Sequence, residues 1–382
     1  MKFFHLSDLH IGKTVNEFSM LEDQAFVFEQ ILGHVRAQRP DAVAVAGDVY
    51  DKSIPGIAAV RLYDDFLTQL AAENVPVLVI SGNHDSPERL EFGGRLMEKS
   101  NVYVYGAYDG SVHTVRLEDE WGPVVFHLLP FVRPAAVRGF FPERQIENYE
   151  DAVSAAVSGD VLNTAERNIL VAHQTVTYKG QALIRSESET DPVGGIGGVD
   201  AGIFAAYDYV ALGHFHAPQS VGRKNIRYAG SPLKYSLSEE KHTKTVTMVE
   251  MKEKGNIEVT QYPLAPLRDM RSIKGKIGEL TKEEVVHAAN SDDYIYVTLT
   301  DEQEAVGAHS RLRSVYPHVM EIRFDNARTR ASSDFSVAAA PDVKTAEELF
   351  GDFYKEQNGM PLNETQQKTI QALLDRKGGA LP

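Results

Sequence analysis

Cysteine is absent from this sequence of 382 residues. Disulfides, thiolate zinc sites and cysteine nucleophiles are therefore excluded, and any metal ion must be held by oxygen and imidazole nitrogen. Long apolar runs are absent too, since none approaches the roughly 18 residues of a membrane helix. No charged-then-apolar leader precedes the opening strand-like run, so the expectation is a cytoplasmic protein without a membrane span. Positive charge is in short supply. Lys and Arg number 39 against 54 Asp and Glu, a formal net charge of −15, which argues against coating nucleic acid by bulk attraction. A nucleic-acid enzyme is still compatible with that balance, because bound divalent ions invert the local field. Internal repeats are also missing. What remains is an ordinary soluble composition, 43% hydrophobic and 24% charged, on a chain long enough for two or three domains with real cores.

One design recurs five times. An apolar run stops on small residues and then shows carboxylate, amide or imidazole side chains. The opening run, residues 2–7, leads into Asp8-Leu9-His10; the others are residues 43–51 (VAVAGDVYD), 77–85 (VLVISGNHD), 169–174 (ILVAHQ) and 209–216 (YVALGHFH). A short buried strand reads as a continuous apolar run, and α/β sheets bind ligands outside the carboxyl ends of their strands. Helical patterns separate the first three runs. Leu21, Ala25, Phe28, Leu32 and Val35 fall at spacings of three and four before Pro40, and Ile57, Val60, Tyr63, Leu67 and Leu70 line one side of the next. This alternation predicts βαβ units and a mostly parallel sheet. Residues 101–131 change to short runs broken by Gly and Asp, which predict a second, more antiparallel sheet. Residues 181–200 are polar and Gly-rich and read as a mobile loop beside the site.

A break falls near Pro263 and Pro266. Beyond it, strands at 269–277, 294–299 and 319–324 with helices at 282–289 and 305–315 predict a compact βαβαβ unit. Residues 327–342 (ARTRASSDFSVAAAPD) are too small and polar to bury much surface and read as a linker. Two short amphipathic helices close the chain. Thr345-x-x-Glu348 caps the first, which carries Leu349, Phe350 and Phe353; Asn363-x-x-Gln366 caps the second, with Ile370, Leu373 and Leu374. Such helices are too short to be stable alone, so they fold back on the parent domain or dock on a partner.

Asp8, His10, Asp48, Asn83, His173, His214 and His216 supply three carboxylate or amide groups and four imidazoles. That donor set suits two adjacent divalent ions with one bridging carboxylate. Such a pair, about 3.5–4 Å apart, can hold a hydroxide and clamp the attacking and leaving oxygens of an in-line displacement at phosphorus. Mixed nitrogen and oxygen ligation suits Mn, Fe or Zn better than Mg. Each piece alone is weak: Asp-x-His is common by chance, Gly-Asn-His-Asp is a plausible tight turn, and His214-x-His216 on a strand is also a buried hydrogen-bonded pair. The ordered conjunction of all five is what carries the reading. Basic residues lie near the motifs in sequence (Lys13, Arg89, Arg95, Arg133, Arg138, Lys179, Arg185, Arg223, Lys224, Arg227), and a scattered solvated surface explains any one of them equally well. The remaining histidines, His5 among them, read as surface or satisfied core residues.

The series Asp8-x-His10, Gly47-Asp48-x-x-Asp51, Gly82-Asn83-His84-Asp85, His173 and Gly213-His214-x-His216 resembles the calcineurin-like metallophosphoesterase superfamily. Within it, HLSDLHIGK, GDVYD, SGNHDSPERL and YAGSPLKYS are similar to the SbcD family, the nuclease subunits of bacterial SbcCD DNA-repair complexes. The resemblance is strong over residues 1–250 and less specific beyond. It implies an α/β metallophosphoesterase two-sheet sandwich flanked by helices, with a small α+β capping domain and C-terminal helices. The expected domains are a nuclease domain at 1–265, the capping domain at 266–326, a linker at 327–342 and a partner-binding helix-loop-helix at 343–382. It also implies that Asp8, His10, Asp48 and His216 hold one metal and Asp48, Asn83, His173 and His214 the other, most simply Mn2+ with Mg2+ as the alternative. His84 would be a non-ligand that stabilises or protonates the leaving 3′ oxygen, and Asp51 is expected to orient it. The early helices would form a homodimer face, and the terminal helices would dock on an SbcC-type ATPase in a heterotetramer acting on DNA ends, hairpins and single strands in repair, recombination and replication.

Two other readings compete. A small-molecule or protein phosphoesterase of the same superfamily would share the site but has no need of YAGSPLKYS, the capping unit or the tail. A non-catalytic scaffold for the ATPase would be expected to have lost ligands, and none is missing here.

Overall fold

A computed structural model describes residues 1–159, 162–189, 197–302 and 307–326, with isolated residues at 362, 366 and 367. The linker and, apart from residues 366 and 367, the two terminal helices expected from the sequence lie outside the described residues. The chain divides into two units, residues 1–299 with 305–323, and residues 300–304 with 324–382. Every candidate ligand lies in the first unit.

Two six-stranded sheets form its body. The first runs from edge to edge as Ile257–Pro263, Thr245–Met251, Lys2–Leu6, Ala42–Ala46, Val77–Ile80 and Val102–Tyr105. Its last four strands are parallel, Thr245–Met251 is antiparallel to Lys2–Leu6, and Ile257–Pro263 is antiparallel in turn to Thr245–Met251. The second runs Gln219–Val221, Arg223–Tyr228, Tyr209–Gly213, Arg167–His173, Gly122–Leu129 and His113–Asp119. Its middle four strands are parallel and only its edges antiparallel. The antiparallel expectation for residues 101–131 is therefore met by the hairpin 113–129 alone, while Val102–Tyr105 joins the first sheet as a parallel edge.

Strand alternation explains the layering. Phe3, Ala44, Ala46, Leu78 and Ile80 of the first sheet meet Phe126, Leu128, Ile169, Val171, Tyr209 and Ala211 of the second in one buried cluster. Their neighbours Phe4, Leu6, Val43, Val45, Val77 and Val79 face the helices instead. Both faces are thus apolar, which is why these strands read as unbroken runs. Phe3 sits edge-on to Phe126 at 5.2 Å and to Tyr209 at 5.7 Å, contacts worth about 0.5–1.5 kcal/mol each beyond burial. Helix Leu21–Gln38 buries Val27, Phe28, Ile31, Leu32 and Val35 and ends at Arg39 in the left-handed conformation. Helix Ile57–Ala72 buries Ala59, Tyr63, Phe66, Leu67 and Leu70. Its first turn does not follow the sequence expectation, because Ile57 and Val60 are 76% and 44% exposed.

A third sheet, Met270–Gly275, Tyr294–Leu299 and Val319–Phe324, follows. The single helix expected at 282–289 is two short turns, Ile277–Leu280 and Glu283–Val286. The sheet is fastened to the body through the fully buried Asp23, whose carboxylate accepts from Tyr294 Oη at 2.7 Å and Arg268 Nη1 at 3.1 Å. Among the described residues, no helix is long and apolar enough to cross a membrane.

Candidate metal centre

In-register pairing brings the strand ends level: Leu6 lies beside Val45, Ala46 beside Ile80, and His173 beside Gly213. Directly beyond those ends the backbone turns sharply. Asp8, His10, Asp48 and His214 all have positive φ, at 53°, 44°, 48° and 114°. Strain of this kind costs about 1–3 kcal/mol per residue and persists where the surroundings enforce it. Two motif glycines answer to close approach. A Cβ on Gly82 would lie 2.1 Å from Asp48 Oδ1, and one on Gly213 would lie 1.9 Å from the Ala46 carbonyl.

All seven side chains singled out as ligands converge between the two sheets. Asp8, His10 and His216 form one group of closely spaced ligand atoms, and Asp8, Asp48 and His173 a second. His10 Nε2 and His216 Nε2 face each other at 3.1 Å. Asn83 Oδ1 lies 3.1 Å from both His173 Nε2 and His214 Nδ1. Asp48 Oδ2 stands between the groups, 3.3 Å from His173 Nε2 and 3.7 Å from His10 Nε2.

The donor chemistry fits a cation. His173 Nδ1 donates to the Ala46 carbonyl at 2.8 Å, so its Nε2 turns toward Asp48 Oδ2 and Asn83 Oδ1 as a third acceptor. Three acceptors around one point repel unless positive charge, a proton on Nε2 or a metal cation in its place, sits among them. The titration of these groups reflects the same demand. Burial works against a charged His173, yet the Asp48 carboxylate outweighs it and raises the imidazole to about 9. Asp48 is held low in return, His173 overcoming the cost of burial. Burial pushes the Asp8 carboxyl up to about 7, with Asp48 adding to the rise. Burial holds His214 down to about 3 and His216 to about 4, both neutral and ready to ligate.

His84 stands at the rim, half-buried. Its backbone N–H donates to Asp48 Oδ1 at 2.9 Å, its ring lies edge-on to His10 at 4.8 Å, and its Nδ1 meets the Asp51 carbonyl at 2.9 Å. The same geometry groups His84 with His10 and Asp48 as closely spaced ligand atoms. Asp51 therefore reaches His84 through its backbone. Its carboxylate pairs with Lys13 Nζ at 2.7 Å and lies 3.6 Å from His10 Nδ1.

Several supporting roles escaped the sequence reading. Asp85 accepts from Val49 N, Tyr50 N and Gly82 N, tying two ligand loops together. Gln24 Nε2 donates to the His10 carbonyl at 2.8 Å. Glu239 and Lys244, both buried, pair at 2.5 Å behind His216. Residues 181–189, expected to be mobile, are held by hydrogen bonds: Gln181 and Gln219 side chains pair with the backbone of Gly222, Ser220 and Ile184, and Ser188 and Glu189 contact His216. The only legible signal was charge near an apolar run, as in Lys244 beside Thr245–Met251. The basic cluster largely dissolves into structure. Arg138 donates to the Ile146 carbonyl, Arg223 to those of Phe204 and Tyr207, and Arg133 and Arg185 lie over Phe131 and Phe215. His5 is a satisfied core residue, with Tyr209 Oη at 3.2 Å and the Leu212 carbonyl at 3.1 Å.

Comparison with known proteins identifies the family. A family model described as calcineurin-like phosphoesterase matches residues 1–218, and one described as type 5 capsule protein repressor C-terminal domain matches residues 266–358. The chain is 30% identical to the SbcD subunit of the SbcCD nuclease of Staphylococcus epidermidis, over 99% of its own length and 100% of the relative's. It is 31% identical to the corresponding subunit of Staphylococcus saprophyticus, over 98% of each. Among solved structures, a dimetal phosphatase from Danio rerio aligns with 69% of this chain and 99% of its own, at 12% identity and a TM-score of 0.37, too distant to carry an argument. With motif order, fold and near-full-length similarity in agreement, the chain belongs to the calcineurin-like phosphoesterases and, within them, to the SbcD family.

Proposed function

We propose that this protein is a metal-dependent DNA nuclease, the exonuclease and endonuclease subunit of a complex with an SbcC-type ATPase. The observation that carries the reading is the convergence of seven ligand-type side chains from five strand ends of two sheets into one buried cluster. Asp8, His10, Asp48 and His216 would hold one divalent ion, and Asp48, Asn83, His173 and His214 the other. Mn2+ suits this mixture of imidazole and oxygen best, with Mg2+ the alternative. When bound, such ions supply positive charge to the phosphodiester and lower the pKa of water toward neutrality. The chain's own residues supply the rest. His173 and His216, each held at Nδ1 by an outer partner, would turn Nε2 inward, and His84, fixed by the Asp51 carbonyl, would assist departure of the 3′ oxygen as the P–O bond breaks.

The competing reading is a small-molecule or protein phosphoesterase. A labelled DNA duplex and single strand, assayed with Mn2+ beside a simple phosphodiester, distinguish the two. DNA cleavage that a chelator stops is expected. Ester hydrolysis with intact DNA would overturn the nuclease assignment.

Ion binding has a pH signature. Asp8 at about 7 and His173 at about 9 hold protons that compete with the ion. Competition fades as pH rises through that window, so Mn2+ affinity increases from pH 6 to 9 and binding releases protons. His214 and His216 are already neutral and add nothing. Calorimetry in buffers of different ionisation enthalpy reads the release; a pH-independent affinity would contradict it.

The wider assembly rests on the same reading. Residues 266–326 would cap a DNA groove. Ile54, Ile57, Val60, Phe92 and Leu96 expose apolar surface on the early helices and the loops beside them, which suits a homodimer face; Ile57→Glu would then sediment as a monomer, and an unchanged dimer would refute that face. The segments from Thr345 onward would dock on the ATPase. Deleting them leaves Mn2+-dependent cleavage within about twofold while ATPase binding is lost, and undiminished binding in a pull-down would refute the docking role. A cytoplasmic location follows from a DNA substrate.

A further inference from the structure

Each imidazole in the centre can point a lone pair at an ion from one nitrogen only if the other carries the proton. For His173 the Ala46 carbonyl fixes this, because a carbonyl accepts and never donates. For His216 the nearest partner is a hydroxyl, Ser188 Oγ, 2.8 Å from Nδ1, with Glu239 Oε1 farther off at 3.4 Å from the same nitrogen. A hydroxyl is ambiguous: it can accept from Nδ1–H or donate to bare Nδ1. Donation to Nδ1 would leave the proton on Nε2, the atom that faces His10 at 3.1 Å, and that tautomer cannot ligate.

The ambiguity is removed one residue further out. Ser188 Oγ lies 2.6 Å from Glu239 Oε1, and an ionised carboxylate only accepts. The single hydroxyl hydrogen is therefore committed to Glu239, and Ser188 is left to accept from His216 Nδ1–H. Glu239 is itself fixed. Its Oε2 takes the Lys244 ammonium at 2.5 Å and its Oε1 the Tyr235 backbone N–H at 3.2 Å. Lys244 also donates to the His216 carbonyl at 3.0 Å, so the ion pair holds both the ring's relay and its backbone.

We infer that Glu239, acting through Ser188, sets the tautomer of His216 and so determines the affinity of one of the two ion sites. Both are positioning residues, and the inference rests on the two-ion reading above. It predicts an asymmetric defect. Removing the relay weakens the site that uses His216 by about 10–100-fold, as loss of an outer partner does elsewhere, and leaves the site built on Asn83, His173 and His214 within about twofold.

Ser188→Ala is the primary variant, because it removes the hydroxyl and leaves the buried Glu239–Lys244 pair intact. Glu239→Gln strips that pair of one charge and serves as the second, with Ser188→Thr as the variant that keeps a hydroxyl. Mn2+ titration by calorimetry gives the two affinities, and 15N spectra of histidine-labelled, metal-free protein report which His216 nitrogen carries the proton. Expected are one weakened site in Ser188→Ala, near wild-type binding in Ser188→Thr, and a shift of the His216 proton from Nδ1 toward Nε2 in Ser188→Ala. Two unchanged sites, equal weakening of both, or an unchanged tautomer in Ser188→Ala would overturn the relay while leaving the metal centre standing. A wild-type protein that binds no Mn2+ would overturn both.

Discussion

His84→Ala is expected to lose DNA cleavage by about 10²–10⁴-fold, the usual worth of a general acid, while still binding two Mn2+ ions. The expectation follows from where the ring sits. It is half-buried at the rim, its Nδ1 is engaged by the Asp51 carbonyl at 2.9 Å, and its backbone N–H donates to Asp48 Oδ1. Its position near His10 and Asp48 also permits ligation, so ion stoichiometry decides its role: loss of one ion along with activity would make His84 a ligand. Asp51→Asn is the informative companion. It keeps the carbonyl that holds His84 and removes only the carboxylate paired with Lys13, so its loss of activity should be smaller. An equal loss would place the function of Asp51 in its carboxylate.

Asp48→Asn is expected to abolish cleavage and to weaken both ions by more than about 100-fold, beyond what loss of an outer partner costs. One oxygen, Asp48 Oδ2, lies within 3.3 Å of a nitrogen in one ligand group and 3.7 Å of a nitrogen in the other. Asn83 Oδ1 also lies between two imidazoles, His173 and His214, but both of those belong to the same proposed site. The amide is isosteric and can still accept from the His84 N–H, so circular dichroism in chelator should show an intact fold. Calorimetry showing one ion bound at wild-type affinity would mean that Asp48 belongs to a single site.

The candidate ligands were legible because each lies next to a buried parallel strand, and such strands are continuous apolar runs. Helix Leu21–Gln38 was legible for the same local reason, its apolar spacing and the Pro40 that follows. The second sheet was not. The hairpin 113–129 dominates the local pattern, whereas the parallel pairing of Gly122–Leu129 with Arg167–His173 joins residues about forty positions apart. Residues 181–189 look like a free loop by composition, yet glutamine side chains pair with backbone there much as a strand would. Glu239 and Lys244 gave no periodic signal at all, since a buried ion pair is two isolated charges until the chain folds. Ile57 and Val60 match a helical stripe perfectly well and are still exposed, because periodicity identifies an apolar face and says nothing of what covers it.

The most direct measurement of the central claim is anomalous diffraction from crystals grown with Mn2+. Two peaks about 3.5–4 Å apart are expected, one touched by Asp8, His10 and His216, the other by Asn83, His173 and His214, with the Asp48 carboxylate between them. A single ion, or two ions neither of which touches Asp48, would contradict the account.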